Sequence, residues 1–178
     1  MGPSETHDTV TAMEELVRRL FANAESIGPE LPEAAIVRFE SQAGLVLPSE
    51  YRTFLKHLNG CYATPLHYSC QPCGFPENVE LHMILGIDRQ PYIDLLATYL
   101  ACKEWEPGVA KRPLELLPIA VDALNDEVCI IANPGRSDFG HVVFYDTLES
   151  EYGHEWEYVY PIADSMSLFL QGLFPSPP

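Results

Sequence analysis

A chain of 178 residues with 26 Asp and Glu against 10 Lys and Arg carries a formal charge of −16. Like-charge repulsion of that size, felt over a Debye length of about 8 Å, excludes nucleic acid and anionic membrane surfaces as partners. With 47% hydrophobic and 20% charged residues, a chain of this length buries roughly 70% of its unfolded surface, which excludes disorder as the dominant state and requires no metal or disulfide staple.

Length predicts one domain over residues 1–178, with 1–8 and the Pro175–Pro178 tail frayed. No run approaches the roughly 18 apolar residues of a membrane span, and Met1 to Glu5 lack the charged and apolar regions of a secretory leader, so the expected location is cytoplasmic. The five cysteines, an odd number, do not form a secreted framework and are expected to be reduced.

The first periodic segment places Met13, Leu16, Val17, Leu20 and Phe21 on one face behind a Thr11/Glu14 capping-box spacing, which predicts a helix over 11–24. A second helix over 32–43 starts at Pro32, buries Ile36, Phe39 and Ala43, and stops at Gly44. A third runs from Pro48 to Leu58, with Tyr51, Phe54, Leu55 and Leu58 as its stripe and Asn59-Gly60 as its stop. Cys61 to Glu80 is interrupted by Pro65, Pro72, Gly74 and Pro76 and reads as loop. Leu81–Ile87 is short and apolar enough for a strand, and 91–103 returns to helical spacing. Leu117–Val121, Val128–Ala132 and His141–Tyr145 are β-branched or aromatic runs separated by turn residues, which predicts an antiparallel meander. Tyr158–Ile162 adds a further strand. Asp164 or Ser165 caps a last helix over 165–173. The expected fold class is α+β: an antiparallel meander flanked by an N-terminal helical block, a middle helix and a C-terminal helix.

Phe39-Glu40, Gly44-Leu45, Leu47-Pro48, Glu50-Tyr51, Phe54-Leu55 and Asn59-Gly60 together resemble the amino-terminal signature of the SUKH superfamily, in its Smi/Knr branch of cell-wall-assembly-regulator relatives. Leu117 to Ala120 with Asp122, Val128–Ile131, Val142–Asp146 and Ile162 to Leu170 resemble its later strands and closing helix, so the resemblance covers about 31–173. It departs in one turn: the family usually has a Gly-rich turn ending in Asp, and this chain has Ala123-Leu124-Asn125-Asp126. The resemblance implies a non-enzymatic binding protein. Bacterial members are mostly immunity proteins that neutralise a cognate toxin, commonly a nuclease; the alternative it leaves is a regulatory or scaffold module. The signature residues themselves read as structural, since they end helices, start one, or form a buried stripe.

From Ser137 to Pro178 there are seven acids and no Lys or Arg. Between Tyr145 and Tyr160 the acids interleave with aromatics, a chemistry that matches a basic protein surface: carboxylates steer encounter while Trp and Tyr supply anchor area. Asp146, Glu149, Glu151, Tyr152, Glu155, Trp156 and Glu157 are therefore the expected partner-binding residues, and a basic toxin domain the expected partner. The competing reading makes the carboxylates a solvated loop and the aromatics its core filling.

Cys70-Gln71-Pro72-Cys73, with Cys61, His57, His67 and His82 close in sequence, has the residue types of a zinc knuckle. It lacks a second CxxC, so purified protein is expected to hold no stoichiometric zinc, and a zinc-dependent hydrolase is the least favoured function. No catalytic residue and no cofactor is expected: Cys61 with His57 or His67 lacks an orienting third group, and Asn133–Ser137 lacks the glycine spacing and the lysine of a phosphate loop.

Overall fold

The computed structural model describes residues 3–70, 79–103, 112–146 and 156–175. Three helices open the chain: α1 (Pro3–Leu20), α2 (Glu33–Ala43) and α3 (Ser49–His57). The α1 helix begins well before Thr11, which is therefore interior rather than a cap, and ends four residues earlier than its periodicity predicts. Beyond it, Ser26 takes a left-handed φ of 56, a conformation outside the helical region. Gly44 at φ 71 closes α2 with its N–H on the Glu40 carbonyl, as the C-cap chemistry requires.

Then come β1 (Cys61–Tyr68), β2 (Val79–Ile84), a 3₁₀ turn (Pro91–Ile93) and α4 (Leu95–Lys103). The β1 strand lies where a loop is expected, and its register explains why. The pairing with β2 is irregular between Tyr62 and Leu66, around Pro65, so Cys61 faces the core at an odd position while Leu66 and Tyr68 face it at even ones. A bulge shifts the two-residue period in mid-strand and erases the alternation that would reveal it. The helix expected over 91–103 is divided at Asp94, whose extended backbone separates the 3₁₀ turn from α4. Its carboxylate accepts from the N–H of Arg89 (2.9 Å) and Ala97 (2.8 Å), making it the N-cap of α4.

The chain ends with β3 (Leu116–Asp122), β4 (Glu127–Ile131), β5 (Val142–Tyr145), a 3₁₀ turn (Trp156–Tyr158), β6 (Val159–Ala163), α5 (Met166–Gln171) and β7 (Phe174–Pro175). All seven strands form one antiparallel sheet in the order β6-β5-β4-β3-β2-β1-β7. The architecture is α+β. Both faces of the centre are buried. Val128, Ile130, Val142 and Phe144 join the main core with Ile36, Phe39, Tyr51, Phe54, Leu55 and Phe169; Leu116, Cys129, Ile131, Val143 and Tyr145 form a smaller cluster. Alternate residues of β4 and β5 thus fall in different clusters, and these strands read as continuous apolar runs. Among the described residues no helix is long and apolar enough to cross a membrane.

Three backbone segments cross closely at the start of the sheet. The Asn59 amide donates to the Ile87 carbonyl (3.1 Å) and accepts from the Ile87 N–H (2.7 Å), completely buried. Gly60 (φ 72), Gly86 and Gly28 allow this approach: a Cβ on Gly28 would overlap the Asn59 carbonyl oxygen, and one on Gly86 would lie 2.6 Å from it. The Arg89 guanidinium donates to the Ser26 carbonyl. Asn59-Gly60, expected simply to stop α3, ties two loops together.

Candidate functional site

The expected partner-binding residues are reached through β5 and the 3₁₀ turn that precedes β6. Asp146, just past β5, is 2% exposed, and its N–H donates to the Tyr158 carbonyl (3.2 Å). It faces inward, in the electrostatic range of Asp122. Trp156 opens the 3₁₀ turn half-buried, packed with Tyr158 and Val159 on the smaller apolar cluster. The guanidinium of Arg136 lies 3.9 Å from the centroid of its ring, a cation–π contact. Arg136 also pairs with both carboxylate oxygens of Asp138 (2.7 and 2.8 Å), which holds the Asp138 carboxyl below its ordinary range. Glu157 is exposed. Glu149, Glu151, Tyr152 and Glu155 lie outside the described residues.

Trp156 therefore comes together with Arg136 and, through it, Asp138, with Glu157 next to Trp156 in the 3₁₀ turn, while Asp146 is buried. Arg136 and Asp138 complete this arrangement from the β4–β5 connection. The sequence signal for Arg136 is slight, since it stands one residue before the base-free run begins. Glu157 is exposed, and the Arg136–Asp138 pair and Trp156 are each only partly covered.

Asp122 and Asp126 sit at one end of β3 and β4, 1% and 0% exposed. One oxygen of Asp122 accepts from the N–H of Leu124 (2.8 Å) and of Asp126 (2.9 Å), and Asn125 takes φ 68. Asn tolerates the left-handed region through local hydrogen bonding, so this turn closes without the glycines of the family pattern. Burial pushes the Asp122 carboxyl up to about 6, opposed by the two N–H donors and reinforced by Asp126 and Asp146.

Of the thiols, Cys129 lies in the smaller cluster on which Trp156 packs. Cys61, Cys102 and Cys129 are buried and form no disulfide, the Cys102 thiol donating to the Glu127 carboxylate (3.7 Å), but Cys70, 1% exposed, is disulfide-bonded. The expectation of reduced thiols throughout is corrected there, because sequence spacing does not reveal which thiols the fold brings into bonding distance. Burial pushes the Cys61 thiol up to about 12, which leaves too little thiolate for a nucleophile. His67 stacks on Phe174 with ring centroids 5.9 Å apart, and His82 contacts Tyr62 edge-on. Among the described residues no three His, Cys, Asp or Glu side chains are placed to hold one metal ion.

The residues of the helical signature are joined by specific contacts. The Glu40 carboxylate accepts from the Leu47 N–H (2.9 Å) and pairs with Arg52 (2.5 Å). Glu50 accepts from the Ser167 N–H (2.8 Å) at the start of α5. Tyr51 is fully buried, stacked 6.0 Å from Phe54. A comparison with protein families matches residues 30–172 to the SMI1 / KNR4 family (SUKH-1), and no curated protein matches the chain.

Proposed function

This chain belongs to the SMI1 / KNR4 family (SUKH-1), and from that premise we propose that it is a non-enzymatic binding protein: an immunity protein that occludes a basic, nuclease-type toxin domain in the cytoplasm. The charge arrangement carries the reading. Arg18, Arg38, Arg52, Lys56, Arg112 and Arg136 are each engaged in an ion pair within the chain. Most of the ten bases are thereby spent internally, and the −16 balance is what an approaching molecule meets. An active site built to hold phosphates presents complementary charge. Occlusion requires surface fit rather than chemistry, which accords with a buried, high-pKa Cys61 thiol.

The 3₁₀ turn is the proposed contact, with Glu157 steering and Trp156 anchoring. Since Trp156 also packs on the smaller cluster, truncating it acts on folding as well as on binding.

The test is to co-express the chain with the product of the adjacent gene and measure complex formation, protection of the cell, and inhibition of that product in vitro. A stoichiometric complex that abolishes toxicity is expected. Trp156→Ala should raise the dissociation rate and cost about 2 kcal/mol of binding, with thermal melts to separate the folding contribution. Glu157→Lys should slow association and leave the melt within about 0.5 kcal/mol. A complex without protection of any kind would favour the regulatory or scaffold reading; a neighbour that is neither bound nor inhibited would remove the toxin reading.

A further inference from the structure

A polar cluster is built into the sheet face that carries the smaller apolar cluster, where the end of α4 meets β4. Arg112 is 2% exposed and Glu127 6%. The guanidinium donates from Nη1 to Glu127 Oε2 at 2.5 Å and from Nε to the Leu116 carbonyl at 3.2 Å. Cys102, next to last in α4, donates from its thiol to the other oxygen of the same carboxylate, Oε1, at 3.7 Å. Thiol and guanidinium are therefore bridged by one carboxylate and stand side by side. Cys129, two residues beyond Glu127 on β4 and so on the same face of the sheet, is in the electrostatic range of all three.

A buried ion pair is seldom more stabilising than apolar side chains of the same volume, and this one leaves a donor uncompensated. Arg112 Nη2 is buried without a hydrogen-bond partner among the described residues, a cost that calls for a reason. What Nη2 can take is an acceptor, and the neighbouring sulfur gains one when it is oxidised by two electrons. Cys102 is 7% exposed, against 0% for Cys61 and Cys129, so a small oxidant reaches it first.

We propose that Cys102 is an oxidation-sensing thiol, converted by hydrogen peroxide to a sulfenic acid that Arg112 holds. The sulfur attacks one peroxide oxygen, and the S–O bond forms as the O–O bond breaks. The thiol proton, directed at Glu127, ends on the departing hydroxide. One thiol and one peroxide thus give one sulfenic acid and one water, with sulfur losing two electrons and the peroxide gaining them. The new oxygen accepts from Arg112 Nη2. Burial holds the Cys129 thiol well above its ordinary range, which leaves little thiolate there to turn the sulfenic acid into a disulfide, and the oxidised form persists until a small external thiol reduces it.

The full chain, treated with hydrogen peroxide in the presence of dimedone, which alkylates sulfenic acids, and mapped by peptide mass spectrometry, tests this without any partner. The adduct is expected at Cys102 in about tenfold or greater excess over Cys61 and Cys129, and dithiothreitol added before dimedone abolishes it. Arg112→Lys keeps a charge for Glu127 but not the second donor, and should lower the Cys102 adduct about tenfold while leaving the Cys61 background unchanged. If that variant fails a thermal melt, the map of the parent chain decides. No adduct at Cys102, an adduct shared equally with Cys61, or a disulfide joining Cys102 to Cys129 in its place would each overturn the proposal, as would an Arg112→Lys chain labelled like the parent.

Discussion

Asp122 shows how one buried side chain can set both a turn and a pH dependence. Its oxygen organises the β3–β4 turn through two N–H donors, yet burial raises its pKa from 3.8 to about 6. A carboxyl that holds its proton more tightly folded than unfolded makes the native state bind the extra proton between those two values. Its contribution is therefore most favourable below 3.8, declines as pH rises to about 6, and stays reduced above. Asp122→Asn keeps the acceptor oxygen for the turn and removes the titration. The expected result is a melting temperature that falls less between about pH 5 and pH 7.5 in the variant than in the parent; equal falls would mean that Asp122 does not carry the dependence. At the same scale, Trp156 combines the two readings its sequence allowed: one part is core filling, another is covered by Arg136, and the remainder faces outward.

Among the elements, α5 depends on help from a distant helix. It has six residues, too short to form alone, and its start is held by the Ser165 side chain, which accepts from the Leu168 N–H, and by Glu50 on α3, which accepts from the Ser167 N–H. Glu50→Ala should lower stability by about 1 kcal/mol in urea titrations, and Glu50→Gln, which keeps an acceptor, by less. Equal effects of the two would point to the charge rather than the acceptor. The α2 and α3 helices were legible within a residue or two because Pro32, Gly44 and Pro48 punctuate the chain locally. The β1 strand was illegible because its bulge near Pro65 breaks the two-residue period. The division at Asp94 depends on bonds to Arg89 and Ala97 that no periodicity reports. For the candidate surface, the charge run announced Glu157, but the burial of Asp146 and the seating of Arg136 over Trp156 arise only when the β4–β5 connection meets the 3₁₀ turn.

At the scale of the whole molecule, the excess charge acts at a distance that no single contact matches. With six bases already paired internally, the field outside the protein is negative, and it should accelerate encounter with a basic partner at low salt. Raising ionic strength from about 0.05 M to about 0.5 M should reduce the association rate by about tenfold while changing the dissociation rate much less. Stopped-flow or surface-plasmon traces with the adjacent gene's product measure both. A salt-insensitive association rate would mean that the field plays no part. The sheet also shields its own borders: Pro161 removes one N–H from edge strand β6, Pro175 ends β7, and Tyr62 of β1 bridges Glu25, all of which discourage pairing with another chain.

The pairing of β7 with β1 has a consequence for the chain as it is made. Leu66 and His67 acquire their partners Pro175 and Phe174 only after about a hundred further residues have been synthesised, a delay of roughly 5–20 s at ordinary elongation rates. Throughout that interval the Tyr62 end of β1 can already bridge Glu25, while its Leu66–His67 end still waits for β7. The seam that closes last on the ribosome is thus the one where a chaperone, or a neighbouring nascent copy, has the longest opportunity to intervene.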